Sequence, residues 1–206
     1  MIRKETAAWL FAAFCTLALL LLSPSVCRAD LNRCLAYWPS VIREARYHIG
    51  MAAPARDFMG QIENESRCIP GITSEEGSEG LGQFMPDTAK WIQLREIDLQ
   101  KISPSPQPHD PNWAIPAIIL FDRYLFSQVH CQKDWYFAFR AYNGGLDSIN
   151  REIFRARTCK HQAVESQCHR KTIQTKNGTL NLCQVNINYP SRLHVLGQKY
   201  KGVSVQ

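Results

Sequence analysis

The chain has 206 residues, of which 45% are hydrophobic, and its 24 Lys and Arg outnumber 18 Asp and Glu to give a formal charge of +6. That length allows one domain with a sizeable core. The positive balance favours an anionic partner, but it is not patterned as a nucleic-acid motif, so nucleic acid is excluded from the expected partners.

The amino terminus reads as an export signal. Arg3 and Lys4 precede the apolar run "TAAWLFAAFCTLALLLLSP", and "SVCRAD" follows it. A basic start, an apolar middle and a small residue at the cut are the order of a secretory signal, with cleavage expected after Ala29. The apolar stretch is short for a membrane span, and a retained signal anchor is the competing reading. Export places the protein in the periplasm, with secretion as the alternative and transient or no membrane contact after cleavage. Residues 30–206 then form the domain. Cys15 and Cys27 leave with the signal; Cys34, Cys68, Cys131, Cys159, Cys168 and Cys183 remain. In an exported chain these read as up to three disulfides, with the pairing open. No metal is expected: there is no CxxC pair, and His161, His169 and His194 fall at no recognised ligand spacing.

Helical spacing dominates the rest. In "CLAYWPSVIREARYHIG", Val41, Ile42, Ala45 and Ile49 line one side and Gly50 marks a stop. "PARDFMGQIENES" opens on Pro54 and places Phe58, Ile62 and Glu65 on one face. "KISPSPQPHDP" carries prolines 104, 106, 108 and 111 and reads as an ordered surface loop. "DPNWAIPAIILFDRYLFSQV" follows as a helix that brings Ile118, Phe121, Asp122 and Leu125 together, with Pro116 in its first turns or at a kink. "DWYFAFRAYNGG" closes on Gly144 and Gly145, and "LDSINREIFRA" continues as another helix. Near the end, "TIQTKNGTLNLCQVNINY" offers an Asn177-Gly178 turn between alternating stretches, a small hairpin. From Arg151 onward ten Lys or Arg face only Glu152 and Glu165, a basic surface suited to an anionic wall polymer or simply to water.

On a helix of 100° per residue, Glu65 points within about 20° of Phe58, on the apolar side, whereas Glu63 points about 140° away and reads as surface charge. A carboxyl at the edge of an apolar face is partly desolvated, which raises its pKa toward the range a general acid needs. Downstream, "GSEGLGQFMPDTA" supplies Gly77, Gly80 and Gly82 for tight backbone, Gln83 as a two-ended hydrogen-bonding group and Met85 as an adaptable apolar wall, with Pro86 and Thr88 opening a helix. Such a run beside a carboxylate-bearing helix suits a groove for a bulky substrate.

"ESRC", then "SEGLGQFMPDTA", "DP" at 110 and 111 and "RAYNGG" at 140–145 resemble, in order, the soluble lytic transglycosylase catalytic domain, over about residues 40–200. The resemblance implies a mainly α, goose-type-lysozyme-like single domain, acting on peptidoglycan glycan strands without a cofactor. It makes Glu65 the single catalytic acid and base, with Ser66 a nearby hydrogen-bonding helper. Gln83 and Met85 would line the cleft, with Tyr142 and Asn143 facing Glu65. Cleavage between N-acetylmuramic acid and N-acetylglucosamine would leave a 1,6-anhydromuramic end, and the short exported form resembles the accessory enzymes of secretion or conjugation machines. The sequence departs from the family twice. Glu75, Glu76 and Glu79 lie close to the cleft and offer a second carboxylate, hence hydrolysis. "NYPSRLHV" resembles the family's terminal Glu-Thr-Arg-x-Tyr-Val segment with Pro190 at the glutamate and His194 at the tyrosine. A lysozyme-like hydrolase and a non-catalytic wall-binding protein are the competing readings.

Overall fold

A computed structural model describes residues 32–169, 172–175 and 178–203. The leader expected over residues 1–29 and Asn177 of the expected turn lie outside these. After a short helical stretch at residues 32–35, the described residues form α1 (Trp38–His48), α2 (Ala55–Ser66), α3 (Pro86–Arg95), α4 (Ile97–Ile102), α5 (Pro111–Gln128), α6 (Trp135–Gly144), α7 (Leu146–Ala156), α8 (His161–Glu165), β1 (Thr172–Thr175), β2 (Gly178–Asn181) and α9 (Leu182–Gly197), then a 3-10 turn (Gln198–Tyr200). The architecture is the mainly α-helical single domain that the periodicity implies.

α5 is the hub. Asp110 caps it by accepting from the Asn112 N–H at 2.9 Å, Pro111 occupies the first turn, and the helix continues through Pro116. Trp113, Ile115, Ile118 and Ile119 bury one part of its surface against α1 and the loop after α2, while Leu125 joins Phe137, Ile149 and Ile153 in a second cluster with α6 and α7. Each such side chain contributes roughly 1.5–3 kcal/mol by leaving water. Gly145, at φ 86°, ends α6 and begins α7, a conformation that suits glycine. The proline-rich loop is ordered: Pro108 is buried, and His109 Nδ1 lies 2.9 Å from the Pro70 carbonyl.

The carboxyl terminus departs from expectation. The antiparallel hairpin pairs Thr172 with Asn181 and Ile173 with Leu180, but it stops at Asn181, and "LCQVNINY" is helical. Asn181 caps α9 by accepting from the N–H groups of Cys183 (2.9 Å) and Gln184 (3.2 Å). Gly60 of α2 would place a Cβ 2.1 Å from the Leu193 carbonyl oxygen, and Gly197 of α9 would place one 2.5 Å from the Arg56 carbonyl oxygen. The two helices therefore lie backbone to backbone, an approach that only these glycines allow.

Among the described residues three disulfides close the frame: Cys34–Cys68, Cys131–Cys159 and Cys168–Cys183. They place the protein in an oxidising, extracytoplasmic environment. The first fixes the end of α2, where Arg67 (φ 50°) and Cys68 (φ 60°) both turn left-handed without a glycine. Glu63 is not the free surface charge that its helical angle implied. Its side chain is 10% exposed, and its carboxylate accepts from Lys199 Nζ and, at 2.9 Å, from the Tyr200 hydroxyl. The chain's return onto α2 covers it.

Candidate active site

Glu65 sits in the last turn of α2, one turn after Gln61 and Ile62, and remains partly exposed. Burial of its carboxyl pushes its pKa above the usual glutamate range. Three groups oppose that shift: the Tyr189 hydroxyl, which donates to Oε1; the Asn64 amide, 3.4 Å away; and the positive charge of Arg192. Tyr189 is fully buried, and its own ionisation is pushed well up, first by burial and then by the Glu65 charge, so it stays a hydroxyl donor.

A cavity of about 680 Å³ is walled by Gln83 and Met85 from the loop before α3, Trp91 from α3, Phe121 and Tyr124 from α5, and Tyr142 from α6. Aromatic faces with a few polar groups suit a sugar ring, whose C–H faces stack on them. Gln83 (φ 48°) is fixed in place, its Oε1 accepting from Ser78 Oγ at 2.8 Å and its Nε2 donating to the Gly80 carbonyl at 3.0 Å. The Tyr142 hydroxyl donates to the Gly82 carbonyl at 2.7 Å. Glu65 does not line this cavity itself. Tyr142 links the two, since it walls the cavity and lies within the field of the Glu65 charge.

The other sequence candidates fall elsewhere. Ser66 is buried, and its hydroxyl donates to the Ile62 carbonyl at 2.9 Å, one turn back along its own helix. Asn143, one residue beyond Tyr142, turns toward α9 and accepts from Asn186 Nδ2 at 3.1 Å. Asn186 also receives Arg140 Nε at 3.0 Å, and Arg140 pairs with Glu152 at 2.6 Å, so this buried network ties α6, α7 and α9 together. Glu75 and Glu76 are exposed in a turn organised by Ser74, and Glu79 is engaged through its backbone with Thr73 and Phe84. None of the three walls the cavity; its carboxylates are Asp87 and Asp147, each in the first turn of a helix.

A model of the transglycosylase SLT domain matches residues 52–165, more than half of the sequence. The chain belongs to the transglycosylase SLT family. Membership carries the general activity of that family, lytic cleavage of peptidoglycan. Comparison with curated proteins finds no match.

The matched span of the SLT domain contains Glu65, Gln83, Met85 and Tyr142, but Tyr189 comes from α9, beyond it. Sequence reasoning passed over this tyrosine. Matching the terminal segment on Arg192 put His194 in the tyrosine position, yet the exposed His194 ring lies 3.2 Å from Asp57, at the far end of α2. The available signal was helical phase: Tyr189 and Leu193, four residues apart, are the fully buried side chains of α9 that pack on α2.

Proposed function

We propose that Glu65 is the single acid and base of a lytic transglycosylase, cutting the bond between N-acetylmuramic acid and N-acetylglucosamine and leaving a 1,6-anhydromuramic end. The observation that carries this is a partly exposed glutamate whose pKa is raised by burial, linked through Tyr142 to an aromatic cavity sized for a saccharide. Protonated Glu65 gives its proton to the glycosidic oxygen. The substrate's own 2-acetamido group meets the positive charge that develops at C1. Glu65, now ionised and steadied by the Tyr189 hydroxyl, then takes the proton from the C6 hydroxyl as that oxygen closes onto C1. Tyr142, Gln83 and Met85 hold the sugar in this reading, and Asn143 acts at one remove, through Asn186.

Such a cycle needs no second carboxylate in the cleft, unlike ordinary glycosidases. The acidic run at 75–79, which offered one, does not line the cavity. Asp122 does lie within the field of Glu65, but it is fully buried, which pushes its pKa well above the usual carboxylate range and denies it access to a sugar. Periplasmic action, local wall remodelling and service to a secretion or conjugation machine belong to the same proposal; the disulfides support the compartment. Glu65→Gln keeps the shape and removes the transferable proton. Clearance of purified peptidoglycan should fall at least about 10²-fold, the usual scale for a lost general acid, with Tm unchanged or raised. Clearance at the wild-type rate would contradict the assignment.

A further inference from the structure

We propose that the cleft continues past the saccharide cavity onto the outer face of α7, where Asp147, Arg151 and Phe154 hold the stem peptide carried by N-acetylmuramic acid. This rests on the reading of the chain as a peptidoglycan enzyme given above and adds to it a second part of the substrate. A hollow of about 330 Å³ is lined by His130, Asp147, Asn150, Arg151 and Phe154. Asp147 and Arg151 also line the cavity of about 680 Å³, so the two spaces share a wall. Positions 147, 150, 151 and 154 fall on one side of a helix that turns 100° per residue. Ile149, Glu152 and Ile153 are buried on the other side. The first turn of α7 therefore meets the saccharide cavity, and its polar face leads away from it.

The hollow has a fixed wall. The Asn150 side chain accepts from the His130 N–H at 2.9 Å and donates to the Gln128 carbonyl at 3.1 Å, joining α7 to the end of α5. The next residue, Cys131, is bonded to Cys159 just beyond α7. A surface held in this way loses little freedom when a ligand binds. Its charges select the ligand. A strand of N-acetylated sugars is neutral, whereas the stem peptide bears carboxylates and, on its diamino acid, an ammonium group. Asp147 and Arg151 stand four residues apart, a spacing at which opposite charges on a helix can pair. Both are exposed, yet neither takes part in an ion pair among the described residues. Arg151 can meet a peptide carboxylate and Asp147 the ammonium, while neutral sugars would leave both charges without a counter-ion. Phe154, 77% exposed, offers an apolar face to the aliphatic parts of the peptide.

Two forms of the strand test the proposal, one bearing uncrosslinked peptides and one stripped of them by an amidase. The wild type should cut the first at least about tenfold more efficiently in kcat/KM, the scale of one charge-assisted contact. In Arg151→Ala that ratio should fall to within about twofold of one, mainly through KM, as for a group that binds ground and transition state alike. Both strands are measured on each protein, so a general loss of activity cancels in the ratio. A wild-type ratio near one would overturn the proposal. So would an unchanged ratio in Arg151→Ala, since equal losses on both strands would give the hollow to the glycan. Binding is read separately, by following backbone amide resonances as a sugar-free stem tetrapeptide containing diaminopimelate is added. Amides of residues 147–154 should shift in the wild type and stay in place in Arg151→Ala; no shift in the wild type would overturn the proposal. Should the wild type cut neither strand, the reading of Glu65 fails, and the titration alone decides whether the peptide site exists.

Discussion

At Glu65 two opposing influences meet, and their balance can be shifted one group at a time. Burial raises its pKa, while the Tyr189 hydroxyl favours the ionised form. Tyr189→Phe removes the donor and keeps the ring, so the Glu65 pKa should rise further. The alkaline limb of kcat/KM should move to higher pH, while kcat falls roughly tenfold or more because the carboxylate loses a charge-assisted hydrogen bond; a pH–rate series on the two proteins checks both directions. Asp122 gives a stability test of opposite character. In the unfolded chain it ionises above about pH 4, whereas in the fold burial pushes its pKa well above that range. The folded state therefore binds an extra proton, and stability is lost as pH rises from about 4 toward neutrality. Asp122→Asn abolishes that loss: its Tm should equal the wild-type value near pH 3 and exceed it at pH 7, by about 2–4 °C for each kcal/mol recovered. A constant Tm difference across that range would mean that Asp122 does not change its protonation on folding.

Among the elements, the contact between α2 and α9 decides whether Tyr189 reaches Glu65. Gly60 faces the Leu193 carbonyl and Gly197 faces the Arg56 carbonyl, leaving no room for a methyl group at either place. Gly60→Ala should cost about 1–3 kcal/mol and lower kcat more than a surface variant of equal stability, because α9 must retreat with Tyr189. A crystal structure of the variant with α9 undisplaced would refute this. Periodicity made α1, α2, α5, α6 and α7 legible, since their apolar residues recur at helical spacing and Pro, Asp or Gly mark their ends. It missed α9, where Pro190 sits mid-helix and the alternation continuing from the hairpin into "CQVNINY" imitates a strand. Asp122 was legible as a member of the apolar face of α5, but its relation to Glu65 depends on how two helices meet, which no spacing within one helix records. Ser66 and Asn143 flank Glu65 and Tyr142 in sequence, and adjacency on a helix turns neighbours about 100° apart.

Across the whole molecule, the disulfides convert a small set of helices into a fixed frame around the cleft. Cysteine count and an exported start pointed to the bonds, whereas the pairing required the fold. Cys34–Cys68 clamps the left-handed exit from α2 just past Glu65. The double variant Cys34→Ser/Cys68→Ser should lose about 2–4 kcal/mol and a larger share of activity than the same change at Cys168 and Cys183, which tie the distant hairpin to α9; equal activity losses would remove the special role of the first bond. The central claim is that one carboxyl at position 65 gives up its proton and recovers it from the sugar itself. Mass analysis of the muropeptides released by residues 30–206 tests it most directly. We expect ends lighter by one water than a reducing sugar, the anhydro product, and none from Glu65→Gln. Reducing ends from the wild type would contradict it and assign the protein to hydrolysis.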